Sequence, residues 1–545
     1  MRISEVLRRN NTSTKRNCAH PQTDWHSDRS SNDLTKLTRE LTKDGSVKHS
    51  RNLSWSRPYL SKTRYMCGRQ CSKKLWMTVY DDAEPLKEPL PGTRKGMGIE
   101  AGIKARLLWP GGVLVDTKWN AFAEAIDLTK CLIADPTVPA IFEAALSHHG
   151  VLVRVDALER LSGGRWRLNE VKSSTRIKDE HLEDVALQTY VVFGAGLELA
   201  DAHLVHINDK YVRDEEIDWN ALFCRVDVSD NVIPFLPSVP ARIANMHEVL
   251  CSTEAPDVRP SRHCFRPHDC EFWHRCTSHK PKDWIFHVPR ISSGDFDALE
   301  LSGIVSMRHV PDDFPLKPNQ KRVVDAAKSG KVYRSPEFAK FLPLLALPTS
   351  YVDFETFSPA IPIYPNTRPY QRIPFQWSWH YNDGSGSLIH SDFLASGDID
   401  PRREFSETLL LASERFPGAV MAWSQFEEKV VRDMAELFPD LAERLTALLY
   451  RVIDLLEITA DHTAHPDFQG SFSIKAVPPA VAPDLTYSDL DIADGGDASA
   501  AFYRIVADPT LSAEARDALR QSLLAYCQRD TLALARVHQW LIQES

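Results

Sequence analysis

Asp156, Glu170 and Lys172 are the first residues along this chain whose types and spacing suit chemistry on a phosphate. Two carboxylates offer hard oxygen ligands to a divalent cation, and a lysine ammonium can orient an attacking water or offset phosphate charge. They lie in VLVRVDALERLSGGRWRLNEVK, where apolar residues alternate on both sides of Ser162, Gly163 and Gly164. That pattern predicts a hairpin, with Glu170 and Lys172 on one face of its second strand because strand side chains alternate with a period of two. A polar helical run follows and carries Gln188 and Tyr190. A solvated Glu-x-Lys pair on a surface hairpin has the same local signature.

A second set lies far downstream. Asp353 and Glu355 share a strand face in TSYVDFETFSP, and Tyr526 and Asp530 share a helical face in EARDALRQSLLAYCQRDTLALARVHQWL, whose apolar residues recur at three and four. Carboxylates from separate elements can hold two divalent ions that stabilise both the attacking and the leaving oxygen. Between them lie further carboxylates, Glu427 in GAVMAWSQFEEKVVRDM and Asp454 in YRVIDLLEI. Lys475 can approach a phosphate. Arg368, Tyr370, Arg372, Phe375, Trp377 and Trp379 interleave cations with aromatics, which suits base stacking, but the alternation of the last three fits a half-buried strand better.

The third set is cysteine. Cys67 and Cys71 stand four apart in a predicted helix and can share a face, while Cys264, Cys270 and Cys276 fall within HCFRPHDCEFWHRC. His263, His268 and His274 share that loop, so zinc is a candidate for the group.

These residues need elements to position them. A chain of 545 residues has length for several cores, and its 43% hydrophobic and 26% charged residues are those of a globular protein. Apolar runs fall short of a membrane span and the basic start lacks a following apolar core, so a cytoplasmic protein without a membrane partner is expected. Ten cysteines without an export signal read as thiols. A net charge of −9 excludes a uniformly basic coat but leaves room for a basic channel beside acidic metal sites. Residues 1–55 read as a disordered basic extension. Residues 56–280 hold the hairpin and cysteines, 281–346 form a small helical connector, and 347–545 hold the second carboxylate set. Ile99, Ile103 and Leu107 have helical spacing around Glu100, a candidate carboxylate on that helix; Glu143, in IFEAAL, is a second candidate that reads better as a solvated helix carboxylate.

Asp156, then Glu170-x-Lys172 across a hairpin, then Gln188 and Tyr190, resembles the PD-(D/E)XK nuclease core with its RecB-type trailing motif. One amino-terminal cysteine and three clustered carboxy-terminal ones around that core resemble the iron–sulfur nucleases of the RecB/AddB type and the CRISPR adaptation nucleases. The resemblance implies a [4Fe–4S] cluster on Cys71, Cys264, Cys270 and Cys276, with a structural zinc as the rival. Such enzymes commonly place a metal-binding His where this chain has Ile99 beside Glu100.

The second set resembles the DEDDy branch of RNase H-like 3′–5′ exonucleases, which implies Asp353, Glu355, Glu427 and Asp530 as ligands with Tyr526 positioning the water. The usual middle Asn and Asp are absent. YVDFETFSPAIPIYPNTRPYQRIPFQWSWH, GSFSIKAVPPAVAPDLTYSDLDIADGGDASAAFY and LLAYCQRDTLAL are similar to a bacterial domain-of-unknown-function family with an RNase H-like fold. Together the resemblances imply an α/β architecture of a restriction-endonuclease-like domain followed by an RNase H-like domain. They imply a Mg²⁺- or Mn²⁺-dependent hydrolase acting on DNA with a single-stranded end, in repair, recombination or defence. RNA as substrate, or a nucleic-acid-binding scaffold with inactive sites, are the alternatives.

Overall fold

The computed structural model describes residues 59–81 and 90–543; the expected extension over 1–55 lies outside them. The chain is mixed α/β, with helices packed on two main sheets. Among the described residues no helix is long and apolar enough to cross a membrane.

The first half opens on a two-residue strand, Leu60–Ser61, then α1 (Lys62–Gln70), α2 (Ser72–Tyr80) and α3 (Arg94–Ala105). Ser61 caps α1 by accepting from Arg64 N. Cys71 does not continue the predicted helix. It is extended, with φ −163°, and separates α1 from α2, so Cys67 and Cys71 share no helical face. Helix α3 also differs from expectation. Its apolar stripe faces outward, with Ile99 52%, Ile103 50% and nearby Leu107 54% exposed, while Ala101 and Ala105 are buried. A face of small residues lets the helix backbone approach the sheet closely, which large residues would prevent.

A seven-stranded sheet follows, built on β1 (Ala140–His148), β2 (Val151–Arg160), β3 (Trp166–Lys172), β4 (Leu199–Ile207) and β5 (Phe223–Asp227), hydrogen-bonded in that order. IFEAAL, read as helix, is instead part of β1. Alanine disfavours a strand only weakly, and eight paired residues against β2 decide the matter. The hairpin expected across Gly163 and Gly164 forms, with φ +74° and +76° at those two residues. α4 (Asp179–Gly194) covers the sheet and buries Leu182, Val185 and Val191.

The connector is helical, with α5 (Ser293–Leu301) and α6 (Pro318–Ser329), and it is joined to the second half: Tyr333–Arg334 pairs with Thr463–Ala464. The second sheet has the order β8–β7–β6–β9–β10, from β6 (Thr349–Phe357), β7 (Ile373–Asn382), β8 (Leu388–Leu394), β9 (Ala419–Ala422) and β10 (Val452–Asp454). Central β6 runs antiparallel to β7 and parallel to β9. α7 (Arg402–Arg415) and α8 (Phe426–Leu437) pack on one face, with Trp377 and Trp379 in that core. Phe375, Trp377 and Trp379 are buried strand residues, so they offer no base-stacking platform. α9 (Gly495–Ala507) and the 31-residue α10 (Ala513–Gln543) complete the chain.

Candidate active sites

Strand β3 pairs with β2 only from Trp166 to Asn169, and beyond that the two diverge. Val171 N, left without a partner in β2, donates to Asp156 Oδ2 at 2.7 Å. The divergence leaves room for a cluster of largely buried polar side chains. Lys172 Nζ bonds Glu170 Oε1 and Asp184 Oδ2, both at 2.6 Å, and Gln188 Nε2 donates to Glu170 Oε2 at 2.7 Å and Asp184 Oδ1 at 3.0 Å. Lys62 Nζ joins Glu170 Oε1 at 2.8 Å. Leu60–Ser61 delivers it, pairing with Val151–Leu152 on β2.

Burial opposes ionisation of Glu170, but Lys172 and Lys62 outweigh it and hold the carboxyl below the ordinary range. Asp156 goes the other way: burial, then the charge of Glu170, pushes it up to about 8. A carboxyl driven up by burial and a neighbouring carboxylate gains from a divalent cation, so this donor set fits one.

The structure thus brings Asp156, Glu170, Lys172 and Gln188 together. Tyr190 does not join their hydrogen bonds; its hydroxyl pairs with His149 Nδ1 at 2.7 Å. Glu100 is likewise engaged elsewhere, with its Oε2 accepting from Tyr503 in α9 at 2.6 Å. Lys62 and Asp184 were missed. Asp184 was visible one helical turn before Gln188, whereas nothing local marks Lys62.

In the second half, oxygens of Asp353, Glu355 and Asp530 lie within 4.8 Å of one another. Alternation along β6 points both of its acids at α10. Burial first, then Asp530 and the other acids, pushes Asp353 and Glu355 far above the carboxylate range. Glu427, at the start of α8, is pushed up to about 8 by burial, with Asp454 and Asp530 adding to it. It is 4% exposed, and its Oε2 is buried without a hydrogen-bond partner. Asp454 is used locally, its Oδ1 capping a helix by accepting from Glu457 N at 3.1 Å. An orphaned buried carboxylate oxygen beside three convergent carboxylates fits hard cations.

Tyr526 is buried beside Asp530, which takes hydrogen bonds from both Tyr526 and Tyr487. The Tyr487 hydroxyl donates to Asp530 Oδ1 at 2.6 Å and was missed by the sequence reading. Lys475 Nζ sits 4.9 Å from the Tyr526 ring centre and 5.6 Å from that of Tyr487, and its charge favours ionised Glu355 and Asp530. Arg372 lies over Phe426 and Tyr370 donates to the Ser173 carbonyl, so these two act in packing.

Cys71, Cys264, Cys270 and Cys276 line one small cavity with His263, Met77 and Trp273. None of the four is in a disulfide. Gln70 Nε2 fastens the loop to α1 through the carbonyls of His263, Cys264 and His268. His268 and His274 do not line the cavity. Four thiols from two distant segments on one cavity suit a bound metal group.

The molecule is therefore an α/β protein with two carboxylate centres and one cysteine-lined cavity. Residues 350–473 match the family described as Domain of unknown function (DUF2779), a span that holds Asp353, Glu355 and Glu427 but not Asp530. No curated protein matches the chain. A crystal structure of SSO0001 aligns over 41% of this chain and 86% of its own, at 14% identity and a TM-score of 0.16.

Proposed function

We propose that this protein is a metal-dependent DNA nuclease with two centres. One is a RecB-like PD-(D/E)XK module with a cysteine-held cluster, and the other is a DEDDy-like exonuclease module of RNase H type. The observation that carries the reading is the convergence of Asp353, Glu355 and Asp530 beside the unpartnered, buried oxygen of Glu427. Mg²⁺ or Mn²⁺ bound there supplies Lewis-acid stabilisation of the attacking and leaving oxygens. The chain's own residues do the rest. Asp353, Glu355, Asp530 and Glu427 hold the cations, the Tyr526 and Tyr487 hydroxyls fix Asp530, and Lys475 offers its ammonium to a phosphate.

In the first module Asp156 and Glu170 are the ligands and Lys172 the charge-bearing donor. In the cysteine cavity the four thiols would hold a [4Fe–4S] cluster, with a structural zinc as the rival occupant. The cluster would join α1 and α2 to the 264–276 loop.

A second reading, a nucleic-acid-binding first module beside an active second one, is favoured by one observation. Both Glu170 oxygens are already held by Lys62, Lys172 and Gln188. Anaerobically purified protein should release nucleotides from single-stranded DNA with Mg²⁺ or Mn²⁺; Asp353→Asn alone should abolish that release if only the second module is active, and Asp353→Asn with Glu170→Gln should abolish it if both are. Degradation of neither DNA nor RNA overturns the nuclease reading. Degradation of RNA alone changes the substrate to RNA.

A further inference from the structure

We propose that Glu143 is the third carboxylate of the Asp156–Glu170 centre and joins them in holding a divalent cation, with Arg106 tying it back until the cation arrives. The proposal rests on the two-centre reading and adds to it a ligand that the sequence pattern assigned to Glu100.

The flanking pairs Phe142–Ala157 and Ala144–Val155 put Glu143 directly across from Asp156. The two carboxyls lie close enough for their charges to interact. Glu143 also has φ +56° in the middle of a strand, a region that residues other than glycine seldom occupy. Its side chain is 34% exposed, and among the described residues its one ion pair is Arg106 Nη2 at 3.4 Å, a contact long enough to open.

The remaining groups point the same way. Lys62 and Lys172 are engaged by Glu170 and Asp184, and among the described residues Asp156 has no ion pair. Gln188 is fully buried, and while its amide nitrogen bonds Glu170 and Asp184, its carbonyl oxygen has no partner. The centre therefore holds an unpartnered buried oxygen beside carboxyls that crowd one another, a combination that a hard cation resolves. Glu100 is unsuited to the role because Tyr503 engages it from α9.

The test is Mn²⁺ binding, measured by calorimetry and electron paramagnetic resonance, on the full chain carrying Asp353→Asn and Asp530→Asn so that only the first centre is read. In that background Glu143→Gln should weaken Mn²⁺ binding at least about tenfold, as loss of a supporting group alone does, while Glu100→Gln should stay within about twofold. If Glu143→Gln binds like the background while Asp156→Asn has lost Mn²⁺, the proposal is overturned and the centre stands. If Asp156→Asn also binds unchanged, or the background binds no Mn²⁺, the centre itself falls and the proposal with it. Should Glu143→Gln not fold, Arg106→Gln decides: freeing Glu143 must preserve or tighten Mn²⁺ binding, and weakening overturns the proposal.

Discussion

The Tyr503 hydroxyl donates to Glu100 Oε2 at 2.6 Å and so joins α9, whose first residue lies beside Glu355, to α3, which packs against β3. Glu100 is thereby a contact between the two halves. A hydrogen bond to a carboxylate contributes about 1–2 kcal/mol when partly exposed. Tyr503→Phe should lower the unfolding free energy by that amount in urea titration and leave cation affinity at both centres unchanged.

The raised carboxyls make stability depend on pH. Glu427 titrates near 4.5 when unfolded and at about 8 when folded, so the folded state binds the extra proton. Its stabilising contribution is fully present below about pH 4.5 and is lost as pH rises through 8. Asp156, with a folded value of about 8, adds in the same direction. The thermal midpoint of metal-free protein should therefore fall between pH 5 and pH 8, Mg²⁺ should restore more of it at pH 8 than at pH 5, and Glu427→Gln should flatten the profile.

Glu170 is balanced by two lysines. Losing the only partner of a buried charge costs about 3–5 kcal/mol, but Lys62 stays at 2.8 Å when Lys172 is removed. Lys172→Met should therefore cost less, about 1–3 kcal/mol by denaturant titration, and Lys62→Met with Lys172→Met should cost more than the sum of the singles.

The cysteine cavity predicts a coloured protein. Anaerobic samples should contain iron and absorb in the visible range, and Cys71→Ala and Cys270→Ala should each remove both. Colourless protein with one zinc per chain would assign the four thiols to a structural zinc instead.

Tyr487 and Tyr526 both support Asp530. Tyr487→Phe should reduce single-strand DNA hydrolysis by about 10- to 100-fold without moving the thermal midpoint by more than a few degrees. An unchanged rate would restrict the supporting role to Tyr526.

The sequence by itself determined the elements whose signals are local. The hairpin around Gly163 and Gly164, the Asp353–Glu355 strand and the long last helix each announce themselves through period and turn chemistry, and with them come Asp156, Glu170, Lys172 and Gln188. Tertiary structure alone decided what depends on contact across the chain. Lys62 reaches Glu170 over 108 residues because Leu60–Ser61 pairs with β2, and Tyr487 reaches Asp530 over 43 residues. Glu100 meets Tyr503 and Glu143 lies across from Asp156 for the same reason. Helical spacing can be counted in one segment, but whether an acidic side chain faces another carboxylate or a distant tyrosine depends on which strand and helix pack against it. The outward stripe on α3 follows the same logic: periodicity reveals that a helix has an apolar face, and only the packing of Ala101 and Ala105 reveals which face is buried.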